Sequence, residues 1–134
     1  MQEQDFETVI EAVLKRDPRY QRDAYVFVRE ALDFTQKKVC KDIKKGIRHV
    51  SGQELLAGIR DFGLSQYGPM TLLVLQEWGV HACEDFGEIV FNMVEGGILS
   101  KTPSDSRDDF KGGYDFNKTF RDPFLPSTKA PCVP

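Results

Sequence analysis

The chain has 134 residues, of which 40% are hydrophobic and 29% charged, with a formal net charge of −3. This length is typical of one domain, the apolar content suffices for one core, and the mixed charge argues against global disorder. No basic stretch followed by an apolar one opens the sequence, and the most apolar run is far shorter than the roughly 20 residues of a membrane span. We therefore expect a soluble protein.

The first half of the chain has the three- and four-residue apolar spacing of two helices. Apolar residues between Phe6 and Leu14 predict an amphipathic helix. It should end before Pro18, because proline disfavours α geometry in the residue that precedes it. A second helix is predicted over about 22–39, with an apolar face broad enough to meet a core on more than one side.

The middle of the chain predicts three more helices. Residues 51–54 (SGQE) have the S-x-x-E pattern of a capping box, in which Ser51 and Glu54 satisfy each other's backbone amides. Pro69 suits the first position of a fourth helix, which is apolar on nearly all sides and should therefore be central. A fifth helix is predicted over about 84–95, and the two glycines that follow should stop it.

The C-terminal part predicts a small β-hairpin. Residues 98–101 have the pattern of a short strand, 102–113 are rich in turn formers, and 114–116 can pair back. The predicted fold is mainly α, with about five helices and this hairpin, in an order that resembles a winged helix. We predict one domain over 1–124 and a flexible, proline-containing tail over 125–134.

Positive charge is concentrated in residues 37–48, here called the basic segment. It holds six basic residues against one acid, a local charge of +5, whereas the rest of the chain holds 12 basic and 20 acidic residues, or −8. The basic residues are Lys37, Lys38, Lys41, Lys44, Lys45 and Arg48. Such a segment can follow nucleic-acid phosphates, since neutralising each phosphate releases condensed counterions. We assign these six residues to a candidate interface for RNA or DNA.

Other interpretations of the basic segment remain open. It can be a helix that exposes lysines for solubility, or Gly46 can break it into a loop. It can also dock internally on the acidic residues Asp105, Asp108, Asp109 and Asp115. Four aromatic residues are candidates for stacking on bases: Tyr20, Tyr25, Tyr67 and Phe110. No RNA-recognition strand motif surrounds them, so binding should depend on charge and shape more than on sequence.

The Phe-rich C-terminal segment supports an alternative function. Four Phe residues recur there at near-regular spacing: Phe110, Phe116, Phe120 and Phe124. If they are exposed, they would make the chain a protein–protein interaction module. If they fold back, they would close the core instead.

Motifs for catalysis or cofactor binding are missing from the sequence. His49 and His81 have no partner at zinc-ligand spacing, and no nucleotide-phosphate loop occurs. Cys83 lies near His81 but lacks a group that would orient a nucleophile–base pair. The three cysteines are odd in number, and their spacing does not resemble a disulfide framework, which favours the cytoplasm. We predict a non-catalytic, cytoplasmic protein without a cofactor, metal or membrane partner.

Five stretches of the sequence resemble the short signature-protein family of the Planctomycetes, Verrucomicrobia and Chlamydiae. They are residues 13–20 (VLKRDPRY), 24–27 (AYVF), 68–70 (GPM), 85–94 (DFGEIVFNMV) and 114–120. The resemblance spans nearly the whole chain up to Phe124. It implies a housekeeping role linked to nucleic-acid binding and to the ribosome, and it brings no catalytic residues.

Overall fold

The computed structural model describes residues 6–39, 50–99 and 106–125, and within them the fold is mainly α. The α-helices are α1 (Phe6–Arg16), α2 (Arg22–Val39), α3 (Gly52–Tyr67), α4 (Thr71–Glu77) and α5 (Cys83–Glu95). Short helical turns cover Gly68–Met70, Arg107–Phe110, Asn117–Arg121 and Asp122–Phe124. The predicted second and fifth helices are confirmed to within one residue of the observed bounds, and the first helix ends before Pro18 as predicted. No helix in these three ranges is both long and apolar enough to cross a membrane.

Helix α3 begins at the predicted capping box. The Glu54 N–H donates to Ser51 Oγ at 3.1 Å, and the Ser51 N–H donates to Glu54 Oε1 at 3.0 Å. Further along, α3 approaches α2 closely, because Gly58 lies directly against Thr35 and a Cβ at this position would come within 2.8 Å of Thr35 Cβ. This close approach sets the end of α2, which carries the first lysines of the basic segment, beside α3.

Buried side chains from all three described ranges pack into one cluster. The C-terminal turns add Phe110, Phe116 and Phe120, which are 2%, 6% and 0% exposed. The Phe116 ring lies 5.8 Å from Phe86 of α5 and 5.2 Å from Phe120. Three of the four C-terminal Phe residues therefore fold back and close the core, and only the fourth, Phe124, is exposed, at 45%.

The predicted β-hairpin is wrong for the residues that the structure describes. The backbone N–H groups of Ile98 and Leu99 donate to Met93 O at 3.0 and 3.3 Å and so close the end of α5 instead of joining a ladder. Tyr114 lies outside any strand and leads into the turn Asn117–Arg121. Its hydroxyl donates to Leu56 O of α3 at 2.8 Å. The winged-helix-like order therefore has no hairpin in the described part of the chain.

The predicted central position of the fourth helix is also wrong. Pro69 is the second residue of the short 3-10 turn Gly68–Met70, and α4 itself has seven residues. Leu75 is 1% exposed, but Leu73 is 56% exposed and Met70, in the turn before α4, is 53% exposed. One face of this short helix contacts the core, and the other face presents apolar side chains to solvent.

Candidate nucleic-acid interface

The structure places two of the six predicted interface residues. Lys37 and Lys38 lie in the last turn of α2, and their side chains are 78% and 56% exposed. The other four, Lys41, Lys44, Lys45 and Arg48, lie outside the described residues. The described end of the basic segment is therefore helical and faces solvent.

Each of these two lysines pairs with a carboxylate. Lys37 Nζ lies 3.2 Å from Asp33 Oδ2, one helical turn earlier. Lys38 Nζ lies 2.9 Å from Asp61 Oδ2 of α3 and 5.5 Å from the centre of the Phe34 ring. Exposed ion pairs of this kind contribute about 0–1 kcal/mol to the free energy of unfolding. Because they are this weak, a nucleic-acid phosphate can compete with the carboxylates for both lysines.

The packing of α2 against α3 brings a further cation to this surface. Arg60 Nε donates to Asp61 Oδ1 at 3.0 Å, so Asp61 bridges Arg60 and Lys38. Partial burial raises the pKa of Asp61, but the hydrogen bonds from Lys38 and Arg60 outweigh it and hold this pKa below its usual value. Arg60 was not predicted as an interface residue, because it lies outside the basic segment and only the tertiary packing joins it to Lys38.

The acidic residues considered for internal docking have other neighbours. Asp108 lies 3.3 Å from Lys111 Nζ, and Asp109 Oδ2 accepts the Ser106 N–H at 3.1 Å. Asp115 accepts a backbone N–H at 3.0 Å, and Asp105 lies outside the described residues. Since both placed lysines pair with other carboxylates, this described part of the basic segment does not dock on those residues.

Two of the stretches behind the family resemblance contact each other through polar side chains. The Tyr20 hydroxyl donates to Asp85 Oδ1 at 2.6 Å, and Arg19 Nη2 lies 3.3 Å from Glu88 Oε1. Burial and the bond to Asp85 raise the pKa of Tyr20 well above its usual value. These residues join the corner between α1 and α2 to α5, so their observed contacts are structural.

A buried amide extends the same connection. Asn92 of α5 is 5% exposed, and its Nδ2 donates to Asp17 Oδ2 at 2.9 Å and to the Tyr25 hydroxyl at 3.0 Å. The hydrogen bond from Arg19, together with the one from Asn92, outweighs burial and holds the pKa of Asp17 far below its usual value. The carboxylate of Asp17 therefore accepts hydrogen bonds both from Arg19 at this corner and from Asn92 of α5.

The Cys83–His81 pair considered in the sequence is not brought together. Cys83 is buried and its thiol lies 3.5 Å from Tyr114 O, while His81 is exposed. Burial raises the pKa of Cys83 to about 11, which disfavours the thiolate that a nucleophile needs. Over the described ranges, no three His, Cys, Asp or Glu residues are grouped as metal ligands.

The four tyrosines of the chain, three of which are candidates for base stacking, give a test of the fold. Burial raises the pKa of all four: Tyr20, Tyr25, Tyr67 and Tyr114. Their unfolded pKa is about 10, so the folded state should resist ionisation and lose stability as the pH rises above that value. In a spectrophotometric titration, at least half of the phenolate absorbance should appear only together with the loss of the helical circular dichroism signal, because Tyr20 and Tyr25 are 2% and 0% exposed.

A matched titration in guanidinium chloride should show all four tyrosines ionising near their ordinary pKa of about 10. Ionisation of more than two tyrosines near this value while the helical signal stays intact would contradict the observed burial of Tyr20 and Tyr25.

No family model, curated protein or solved structure matches the chain. The resemblance to the signature-protein family therefore stays a prediction.

Proposed function

We propose that the chain is a non-catalytic nucleic-acid-binding protein that contacts backbone phosphates through the basic segment, in a housekeeping role associated with rRNA or the ribosome. The observation that carries this proposal is the +5 charge of residues 37–48 on a chain that is otherwise −8. Lys37 and Lys38 support it, because both are exposed at the end of α2 and their carboxylate partners are weak competitors.

The charge distribution also favours one orientation on a polyanion. The acidic remainder of the chain would be repelled while the basic segment is attracted, so encounters should be steered toward that segment. Three of the four candidates for base stacking are closed to it, since Tyr20, Tyr25 and Phe110 are all at most 2% exposed, and Tyr67 is half-buried. Binding should therefore depend strongly on salt and weakly on sequence.

Replacing Lys44 and Lys45 by Glu should weaken binding at least about tenfold, because two phosphate contacts are lost and two repulsions are added. The plot of log affinity against log salt concentration should become shallower by about two units. Fluorescence anisotropy with labelled single- and double-stranded RNA and DNA, from low to physiological salt, measures both quantities.

The matched control is Lys15→Glu/Lys118→Glu, which makes the same change in net charge at exposed lysines outside the basic segment. It should keep most of the affinity, and thermal unfolding should show that both variants are folded. Equal losses in the two double variants would move the site away from the basic segment. Absence of binding by the unaltered protein at low salt would refute the proposed function.

A protein–protein interaction module is the second candidate function. The Phe-rich segment supports it poorly, since three of its four Phe side chains are buried. The fourth, Phe124, is exposed, and so are three further large apolar side chains, namely Met70, Leu73 and Leu125. A stable protein partner that remains bound after nuclease treatment would favour this candidate, whereas complexes lost on nuclease treatment would favour nucleic-acid binding.

A further inference from the structure

One carboxylate lies between two cations where α2 meets α3. Asp61 Oδ2 is 2.9 Å from Lys38 Nζ, and Asp61 Oδ1 accepts from Arg60 Nε at 3.0 Å. The side chains of Asp61, Lys38 and Arg60 are 34%, 56% and 42% exposed. All three groups can therefore be reached from solvent, and the cluster begins at the described end of the basic segment.

The arrangement around Asp61 is one that a phosphate can reproduce. A phosphodiester also presents two anionic oxygens, and lysine and arginine bind carboxylate and phosphate oxygens through the same N–H donors. Two cations and one carboxylate leave the cluster with one net positive charge. Because exposed ion pairs are weak, the carboxylate can be exchanged for a phosphate at little cost.

We propose that Lys38 and Arg60 form a phosphate-binding subsite next to the basic segment, and that Asp61 occupies it in the free protein as an internal substitute for a nucleic-acid phosphate. This inference rests on the proposed function and adds Arg60 to the interface. It also makes Asp61 a residue that limits affinity, since every bound phosphate at this subsite must displace or face its carboxylate.

Asp61→Asn should therefore bind nucleic acid more tightly than the unaltered protein. The amide keeps the size of the side chain but removes its negative charge, so both cations become available. At low salt the gain should be about three- to tenfold, and the salt dependence should steepen by up to about one unit, the contribution of one further phosphate contact. The measurement is anisotropy with the full chain and a labelled single-stranded RNA of mixed sequence.

The chain offers a closely matched control in Asp122→Asn. Arg121 Nε donates to Asp122 Oδ1 at 3.0 Å, the same distance and the same neighbouring Arg–Asp order as in the pair Arg60–Asp61. This variant makes the same change in net charge outside the proposed subsite, near the C-terminal end of the described residues, so its gain should be clearly smaller. Adding Arg60→Gln to Asp61→Asn should abolish most of the gain, because the subsite then lacks one of its two cations.

Equal affinities of Asp61→Asn and Asp122→Asn would overturn the inference, provided circular dichroism shows both to be folded. If Asp61→Asn is not folded, the single variant Arg60→Gln tests the subsite instead. It should bind nucleic acid more weakly than the unaltered protein, and an unchanged affinity would reject the subsite. The failure of the proposed function gives a different result. In that case neither the unaltered protein nor Asp61→Asn binds at low salt, whereas failure of this inference alone leaves binding that is sensitive to Lys44→Glu/Lys45→Glu.

Discussion

Replacing Phe120 by Ala should lower the free energy of unfolding by about 3–5 kcal/mol, the usual cost of removing a buried Phe side chain. Phe120 is fully buried, and its ring packs edge-on against Tyr114 at 5.8 Å and Phe116 at 5.2 Å. Because Tyr114 and Phe116 are themselves held by packing, they should not fill the space of the lost ring, and a cavity should remain. Urea unfolding followed by circular dichroism measures the change.

The control for this prediction is Phe124→Ala, the same substitution four residues further along the chain. Phe124 is 45% exposed, so its loss should change the free energy of unfolding by much less, within about 1 kcal/mol. Similar costs at the two positions would show that the C-terminal turns do not close the core as described. Because small domains are stable by only about 5–15 kcal/mol, the Phe120→Ala variant should lose a large part of its free energy of unfolding.

The parts of the fold that the sequence predicts well are those with local causes. Apolar spacing locates α1, α2 and α5, since one face of each helix must meet the core. The start of α3 is predicted because both hydrogen bonds of its capping box join residues that are three apart, Ser51 and Glu54. Such signals are complete within a few residues of sequence and need no knowledge of the tertiary structure.

The predictions from sequence are wrong where tertiary packing determines the conformation of a segment. Ile98 and Leu99 are apolar and follow two glycines, which suggests a strand, but their backbone N–H groups cap α5 through Met93 O. Tyr114 also has a strand-like sequence context, yet its hydroxyl binds the Leu56 carbonyl of α3. Leu73 belongs to an apolar run but lies on the solvent face of α4, whose buried residues are Thr71 and Leu75.

In the candidate interface, too, some residues are evident from the local sequence and others only from the tertiary packing. Lys37 and Lys38 are evident from local charge, whereas Arg60 joins them only because α2 and α3 pack together. The family-like stretches 13–20 and 85–94 can be noticed in the sequence, but the contacts between them cannot, because they are about 70 residues apart. Polar residues in a distinctive motif can thus be structural, and here the bonds of Asp17 and Asn92 give them that role.

Replacing Asn92 by Asp should lower the free energy of unfolding by about 2–4 kcal/mol at neutral pH, because a hydrogen bond to a charged group is lost and a buried like charge is added. The new carboxylate would lie where Asn92 Nδ2 now donates to Asp17 at 2.9 Å. The Tyr25 hydroxyl would no longer accept from Nδ2 and would instead have to donate its own proton to the carboxylate. The shape of the side chain is nearly unchanged, so packing effects should be small. Urea unfolding at several pH values measures the cost.

The destabilisation by Asn92→Asp should depend on pH. Facing Asp17, the new carboxylate should have a raised pKa in the folded state, so its cost is present at neutral pH and disappears as the pH falls and it is protonated. The pKa of Asp17 in the unaltered protein is lowered instead, so the stability it contributes is lost as the pH falls below about 4. The two stability curves should therefore converge in acid.

A charge swap separates repulsion from other effects of the substitution. In Asp17→Asn/Asn92→Asp, an amide again faces a carboxylate, so part of the stability should return at neutral pH. The recovery should be incomplete, because Arg19 loses the partner that its Nε and Nη2 bind at 2.8 and 2.6 Å. A double variant as unstable as the sum of the two single variants would show that the Asp17–Asn92 contact does not couple α5 to the corner between α1 and α2.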